Sequence, residues 1–147
     1  MKNDDLVILE TSLDDLNPQF YNYLIKKLIK SGAKEALIQP IIMKKNRVGF
    51  LLTVIGRKKI KDKLIEKIFD ETTAFGIRLN KVSHIELERE MKKVKTRYGL
   101  VKMKIGRYKG KIKTISPEYE DCEKIAEMKR IPLKKVYDEA KRNIHFS

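Results

Sequence analysis

The stretch EALIQPIIMKKNRVGFLLTVIG, residues 35–56, decides the fold. Its two arms, 35–43 and 48–56, are rich in apolar and β-branched residues, and the polar tetrapeptide KKNR separates them. Two such runs joined by a short polar turn predict an antiparallel β-hairpin. Pro40 lies inside the first arm, which indicates an outer strand or a bulge, because proline has no backbone N–H to donate.

A helical pattern lies on each side of this hairpin. The segment 17–32 starts with Asn17 and Pro18, which suit the N-cap and the first helical position, and it ends at Gly32. The segment 58–73 repeats apolar residues at helical spacing. The side chains predicted to face inward are Phe20, Tyr23 or Leu24, Leu28 and Ile29 in the first helix, and Ile60, Leu64, Ile65, Ile68 and Phe69 in the second.

Further outward, 6–15 and 76–90 have strand patterns. The resulting order β-α-β-β-α-β predicts an α+β protein with a ferredoxin-like core, in which both helices cover one face of a four-stranded sheet.

The segment 91–117 has a different composition from the rest of the chain. It holds ten lysine and arginine residues and no acid, so most of the net charge of +14 is concentrated there. Period-2 alternation and the turn signals RYG and YKG predict two or three antiparallel strands with one lysine-rich face. Two short helices are predicted to follow, at 118–129 and 132–142. We therefore predict a ferredoxin-like subdomain at 1–90 and a subdomain of basic β-hairpins and helices at 91–147.

The bulk composition limits the class of protein. The chain has 147 residues, of which 41% are apolar, and a single cysteine, so an internal disulfide is excluded. No apolar run approaches the roughly 18–20 residues that cross a bilayer. We expect a cytoplasmic protein with no membrane partner.

The acidic stretch TISPEYEDCEKIAE, residues 114–127, has two interpretations. As plain structure, it predicts a helix with Ser116 at the N-cap and Pro117 at the first position. As a site, Glu118 and Asp121 beside the lysine-rich strands suit a divalent cation bound to a nucleoside triphosphate. The side chains predicted to face inward in this helix are Tyr119, Cys122, Ile125 and Ala126.

Three other segments have both a structural and a functional interpretation. Asp14 and Asp15 follow the first strand, where aspartates commonly form caps or turns but also suit hard cations. Asn46 and Arg47 in the hairpin turn can bind phosphate or carboxylate. The segment FDETTAFGIR, residues 69–78, is typical of a helix exit, and its threonines can also line a polar pocket.

Several motifs in this order resemble the C-terminal domain of the LarC family of nickel insertion proteins, over about residues 8–140. They are ETSLDDLNPQFYNYL, PIIMKKNRVGFLLTV, FDETTAFGIR, ERE, TRYGLVKMKIGR and KTISPEYEDCEKIAE with IPLKKVYDEA.

The resemblance implies a nickel-inserting cyclometallase of the lyase class. Such a protein inserts Ni²⁺ into pyridinium-3,5-bisthiocarboxylic acid mononucleotide and splits CTP to CMP and pyrophosphate, with Mn²⁺ or Mg²⁺ at the triphosphate. The product is the nickel pincer nucleotide of lactate racemase. The resemblance also implies a homo-oligomer, and an N-terminal domain or partner chain that this sequence lacks.

On this basis we assign candidate site residues by their positions in the motifs. The candidates for nucleotide and phosphate binding are Lys44, Lys45, Asn46, Arg47, Lys111, Lys113 and Ser116. The candidates for the divalent metal are Asp14, Glu118 and Asp121. Two alternatives remain open: an RNA-binding module that uses 91–117 with Tyr98 and Tyr108 for stacking, and a non-catalytic oligomerisation domain.

Overall fold

The computed structural model describes residues 4–144. The chain divides between Ile85 and Glu86 into two compact units, called here the first unit and the second unit. The first unit contains β1 (Asp4–Leu13), α1 (Tyr21–Lys30), β2 (Glu35–Ile42), β3 (Val48–Arg57), α2 (Lys61–Glu71) and β4 (Arg78–His84). The second unit contains β5 (Glu88–Thr96), β6 (Gly99–Tyr108), β7 (Lys111–Pro117), α3 (Tyr119–Lys129) and α4 (Leu133–Arg142).

The first unit is a four-stranded antiparallel sheet with the strand order β2-β3-β1-β4. The predicted α+β class and the β-α-β-β-α-β element order are confirmed. β2 is an outer strand, as Pro40 indicated. Short 3₁₀ turns precede both helices, at Pro18–Phe20 and Lys58–Ile60. The Asn17 side chain accepts a hydrogen bond from the backbone N–H of Gln19, which caps the first of these turns.

The core of the first unit is aliphatic and lies between the sheet and the two helices. Leu9 of β1 and Leu52 of β3 are fully buried, together with Leu24 and Leu28 of α1. Leu64 and Ile68 of α2 complete the same cluster. Burying one such side chain stabilises the fold by about 1.5–3 kcal/mol, so this cluster is the main source of stability in the unit.

The second unit is a three-stranded antiparallel sheet, β5-β6-β7, packed against α3 and α4. Val101 and Met103 of β6 are fully buried and pack in one cluster with Cys122 of α3 and Val136 of α4. The predicted alternation on β6, with Val101 and Met103 inward and lysines outward, is therefore confirmed. The guanidinium of Arg97 binds both oxygens of Glu139 at 3.0 Å, which links the β5–β6 turn to α4.

The strand predicted at 76–90 is confirmed as β4 over Arg78–His84, but its C-terminal part is wrong. β4 ends at His84, and β5 begins at Glu88 in the other sheet, where Glu88 pairs with Arg107. Ile85, Leu87 and Arg89 alternate with Glu86, Glu88 and Glu90 from the end of β4 into β5, so the sequence shows no break between the two strands. Alternation records which face a residue occupies, and it does not record the sheet to which the strand belongs.

The predicted N-cap role of Ser116 is also wrong. Ser116 pairs with Lys104 inside the sheet, β7 continues to Pro117, and Glu118 occupies the N-cap position of α3. Cross-strand pairing with β6 therefore prevails over the local capping preference of a serine before a proline. Four side chains predicted to face inward are largely exposed: Phe20, Ile29, Phe69 and Tyr119.

None of the helices in the described part of the chain is long and apolar enough to cross a membrane.

Candidate functional site

The end of β1 brings charged and polar side chains of the first unit together. The Arg47 guanidinium donates to Asp14 Oδ2 at 3.0 Å, which joins the β2–β3 turn to the segment after β1. The hydroxyl of Thr73, in the segment that follows α2, donates to Asp15. An exposed ion pair such as that of Arg47 and Asp14 contributes only about 0.2–1 kcal/mol to the free energy of unfolding. These contacts therefore add little to the stability of the fold.

The same end of the sheet carries a second set of contacts between β1 and the segment before β4. The Thr11 hydroxyl donates to the carbonyl oxygen of Gly76 at 2.8 Å. Arg78 donates to Ser12 Oγ at 3.2 Å and lies 4.0 Å from the carboxylate of Glu10. Three of the motifs that carry the family resemblance therefore meet in the first unit, although they are far apart in the sequence.

The β2–β3 turn has an unusual backbone. Lys45 and Asn46 have φ values of 61° and 55°, in the left-handed region. Asn adopts this conformation more readily than Lys does, and a lysine held there is uncommon. The N–H of Met43 donates to the carbonyl of Arg47 at 2.8 Å and closes the turn. Lys44, Lys45, Asn46 and Arg47 are all exposed at this turn.

Close packing beneath the turn fixes its path. A Cβ added to Gly49 would lie 2.8 Å from the carbonyl oxygen of Leu13, and it would also collide with the Met43 side chain. Only glycine therefore allows the start of β3 to lie this close to the end of β1. This contact holds the basic turn beside Asp14.

In the second unit, each predicted metal-binding carboxylate already has a lysine partner. Lys104 Nζ lies 2.8 Å from Glu118 Oε1, and Lys102 Nζ lies 3.5 Å from Asp121 Oδ1. Both carboxylates are mostly buried, while both lysines are about half-exposed. The charges of these lysines on β6 are thus balanced by the start of α3.

Backbone contacts give Asp121 a structural role as well. Its Oδ2 accepts the backbone N–H of Lys102 at 2.9 Å, and the backbone N–H of Glu118 donates to the carbonyl of Lys102 at 2.7 Å. β7 ends at Pro117, so the first turn of α3 supplies these partners where β7 no longer lies beside β6. Both oxygens of Asp121 are therefore used within the second unit.

The remaining predicted phosphate ligands lie on β7. Lys111 and Lys113 are exposed, and Lys111 pairs with Tyr108 at the hairpin end. The register between β6 and β7 shifts at Gly106 and Arg107, which lie next to this end. Ser116 is half-buried and lies opposite Lys104.

The predicted site residues are thus divided between the two units. The first unit brings together Asp14 and the turn residues 44–47, and the second contains the predicted residues of β7 and α3. Within residues 4–144, no group of three or more His, Cys, Asp and Glu side chains is arranged to hold a metal ion.

Sequence reasoning missed Ser12, Arg78, Lys102 and Lys104 as partners of the predicted residues. The two lysines alternate with buried residues on β6, so the strand register would have placed them on one face. The contact between Ser12 and Arg78 joins residues that are 66 positions apart and has no local signal.

Cys122 is a core residue, as predicted. Its side chain is fully buried, and burial raises the pKa of its thiol, with further contributions from Asp121 and Glu118. A thiol in this environment remains protonated and is a poor nucleophile.

The two tyrosines considered for base stacking already have cations near their rings. The Arg97 guanidinium lies 5.7 Å from the ring centre of Tyr98, and Lys109 Nζ lies 5.5 Å from that of Tyr108. Tyr98 also packs against the core of the second unit. Each ring therefore already has a cation–π contact within the second unit.

Together, these features define an α+β protein of two units, with a cluster of carboxylates, arginines and hydroxyls at one end of its larger sheet. The sequence profile of the family described as "Nickel insertion protein" matches residues 1–137. The chain belongs to this family.

Two relatives bear the name "Pyridinium-3,5-bisthiocarboxylic acid mononucleotide nickel insertion protein". The protein of Acetivibrio thermocellus is 42% identical over 97% of this chain, and that of Thermotoga petrophila is 36% identical over 97%. The aligned regions cover 35% and 36% of these two proteins. The chain thus spans about a third of the length of the relatives it matches.

Two solved structures share the fold. One is described as "LarC2, the C-terminal domain of a cyclometallase involved in the synthesis of the NPN cofactor of lactate racemase, apo form". It superposes with a TM-score of 0.90, at 34% identity, over 97% of this chain and 98% of that chain. A protein of Methanopyrus kandleri has a TM-score of 0.73 at 24% identity, over 95% of this chain and 86% of that one, and supports the fold alone.

Proposed function

We propose that this chain is the CTP- and divalent-metal-binding part of a nickel insertase. The complete protein would insert Ni²⁺, as substrate, into pyridinium-3,5-bisthiocarboxylic acid mononucleotide and split CTP to CMP and pyrophosphate. The product would be the nickel pincer nucleotide of lactate racemase. An N-terminal domain or a separate chain would supply the remainder of the active site, and the domain would work as a homo-oligomer.

The observation that carries this proposal is the meeting of three motifs at the end of β1. Asp14, Asp15, Arg47, Thr73 and Arg78 come from separate segments and share contacts that contribute little to stability. Arginines near carboxylates and hydroxyls form a charged, polar site that suits a triphosphate with its cation. Arg47 would bind phosphate oxygens through its planar fork.

The donors present fit a hard divalent cation. Asp14 and Asp15 offer carboxylate oxygens and Thr73 offers a hydroxyl, which are the ligand types that Mg²⁺ and Mn²⁺ prefer. Mg²⁺ is commonly held by one or two carboxylates together with substrate phosphates. A bound cation there would neutralise phosphate charge. We assign Asp14 as a metal ligand, with Lys44, Lys45 and Asn46 of the adjacent turn on the phosphates.

In the second unit, we propose Lys111, Lys113 and Ser116 on β7 as phosphate-binding residues. Glu118 and Asp121 would take part in metal binding only by exchanging their lysine partners, Lys104 and Lys102, for the cation. Asp14 is paired as well, with Arg47, so substitution is needed to tell which carboxylate holds the cation.

Calorimetric titration of the chain with CTP in the presence of Mn²⁺ tests the proposal. We expect saturable binding that requires the metal and is tighter than binding of ATP. Asp14→Asn is expected to weaken CTP binding about tenfold or more, a loss of about 1.4 kcal/mol. Asp62→Asn serves as the matched control, because Asp62 is an exposed aspartate of α2 outside the proposed site.

Glu118→Gln and Glu127→Gln form a second pair on α3. If the second unit holds the cation, Glu118→Gln weakens Mn²⁺-dependent CTP binding while the exposed Glu127→Gln does not. No binding heat with millimolar CTP would refute the nucleotide proposal. Tight RNA binding that weakens steeply with salt and needs no divalent ion would favour the nucleic-acid alternative.

A further inference from the structure

A second candidate binding surface lies within the second unit, where β5, β6 and α3 enclose a pocket of about 300 Å³. Its lining residues are Lys93, Leu100, Lys102, Asp121, Lys124 and Ile125. The proposed nucleotide ligands Lys111, Lys113 and Ser116 are not among them, whereas the candidate metal ligand Asp121 is.

The pocket carries an excess of positive charge. It has three lysines and one carboxylate, and that carboxylate is already paired with Lys102. Among the residues that the structure describes, neither Lys93 nor Lys124 has a hydrogen-bond or ion-pair partner. Lys93 also lies directly opposite Lys102 across β5 and β6. Like charges in that arrangement destabilise a sheet. Asp121 already offsets the charge of Lys102, and a bound anion would offset that of Lys93.

Two of the six lining residues, Leu100 and Ile125, are apolar, and they narrow the class of anion. Leu100 is 62% exposed beside the lysines, and Ile125 supplies a second aliphatic surface. A small hydrated anion gains nothing from such side chains. An anion with a flat organic body gains both charge pairing and burial of its apolar surface.

We propose that this pocket binds a planar organic anion that carries carboxylate or thiocarboxylate groups. The lysines at its rim would pair with the anionic groups, and Leu100 and Ile125 would contact the faces of the ring. A pyridinium ring with two thiocarboxylic acid groups, as in the names of the relatives, belongs to this class. That identification, including the thiocarboxylate groups, rests on the proposed function, whereas the pocket itself supports an anion with an apolar body.

An NMR titration of the full chain with pyridine-3,5-dicarboxylate tests the pocket directly. We expect saturable shifts of the backbone amides of Lys93, Leu100, Lys102 and Lys124. The double variant Lys93→Gln/Lys124→Gln is expected to weaken binding at least tenfold. Lys134→Gln, an exposed lysine of α4 outside the pocket, is the matched control and is expected to leave binding unchanged.

Two further ligands test separately the roles of charge and of the apolar side chains in the pocket. The neutral pyridine-3,5-dicarboxamide should bind at least tenfold more weakly, and equal binding would overturn the role of charge. Inorganic phosphate should also bind more weakly and be insensitive to Leu100→Gln, and equal affinity would overturn the role of the apolar side chains. The absence of saturable shifts with the dicarboxylate would overturn the pocket.

Titration of the same samples with CTP and Mn²⁺ tests the nucleotide proposal independently of the pocket proposal. Loss of dicarboxylate binding with normal CTP binding would refute only the pocket. Normal dicarboxylate binding without CTP binding would refute only the nucleotide proposal.

Discussion

The two units use charged side chains differently. In the first unit the core is aliphatic, and the contacts of Arg47 and Arg78 lie at one end of the sheet, between segments that are distant in sequence. In the second unit several ion pairs link the sheet to the helices: Lys102 and Lys104 of β6 bind the start of α3, and Arg97 of the β5–β6 turn binds α4. In the first unit these contacts form a candidate site, although Lys27 of α1 also pairs with Glu71 of α2. In the second unit the ion pairs join the sheet to the helices.

The ion pairs of the second unit reduce the positive charge that the basic segment 91–117 can offer to a ligand. At least four of its ten cations pair with acids that lie outside it, namely Glu90, Glu118, Asp121 and Glu139. A sequence count of +10 therefore overstates the charge available to a ligand. The cations that remain for binding include Lys93, Lys111 and Lys113.

The largest expected effect concerns the aliphatic core of the first unit. Leu52→Ala removes a fully buried side chain and is expected to lower the free energy of unfolding by about 2–5 kcal/mol. Leu37→Ala on the neighbouring outer strand is the matched control, because Leu37 is 41% exposed. Urea unfolding followed by circular dichroism measures both variants, and equal losses would contradict the assigned core.

A smaller loss of stability is expected when the side chain of Asp121 is removed. Asp121→Ala removes the acceptor for the Lys102 N–H and is expected to lower the free energy of unfolding by about 1 kcal/mol. Asp121→Asn keeps an acceptor oxygen and should lose less. If both variants unfold like the unmodified chain, the carboxylate is not structural and its role as a metal ligand becomes the stronger interpretation.

The pair of Arg97 and Glu139 predicts a pH dependence. Glu139 is buried, and hydrogen bonding from Arg97 holds its pKa below the usual value, with Arg142 adding to the effect. The pair therefore stabilises the fold above the ordinary glutamate pKa of about 4.3, and this stabilisation is lost as the pH falls through the lowered pKa. Thermal unfolding between pH 7 and pH 3 should show a smaller acid-induced loss for Glu139→Gln than for the unmodified chain. The exposed Glu127→Gln should behave like the unmodified chain.

The smallest effect concerns the ion pair of Lys104 and Glu118. Lys104→Gln is expected to cost about 0.2–1 kcal/mol, because the lysine is half-exposed. The cost should shrink in high salt, since salt screens exposed charges. Urea unfolding at low and high salt measures it, and a cost that is independent of salt would contradict an electrostatic origin.

Much of the fold was predictable because the hairpin 35–56 and its flanking helices have strong local patterns. The helix faces were predicted less well: Leu24, Leu28, Leu64 and Ile68 are buried, while Phe69 is exposed, because the width of an apolar stripe depends on the sheet beneath it. The boundary between the sheets was missed, since the alternation continues from the end of β4 into β5 without a break.

The candidate site was predictable only in part. Asp14 and the turn 44–47 were chosen through the family resemblance, and the structure brings them together in the first unit. Whether they bind a nucleotide remains a prediction. The pairing of Glu118 with Lys104 had no local signal, because it depends on where β7 ends and α3 begins.

Pro40 on the outer strand β2 has a consequence for solubility. An outer strand exposes a row of backbone groups to which another chain can add, and this is a common start of aggregation. Pro40 offers no N–H, so an added strand would lack a donor there, in the middle of a strand of eight residues. Pro40→Val would restore that donor in a β-favouring residue, and would make the protein more prone to aggregate at high concentration without adding a contact to the native fold.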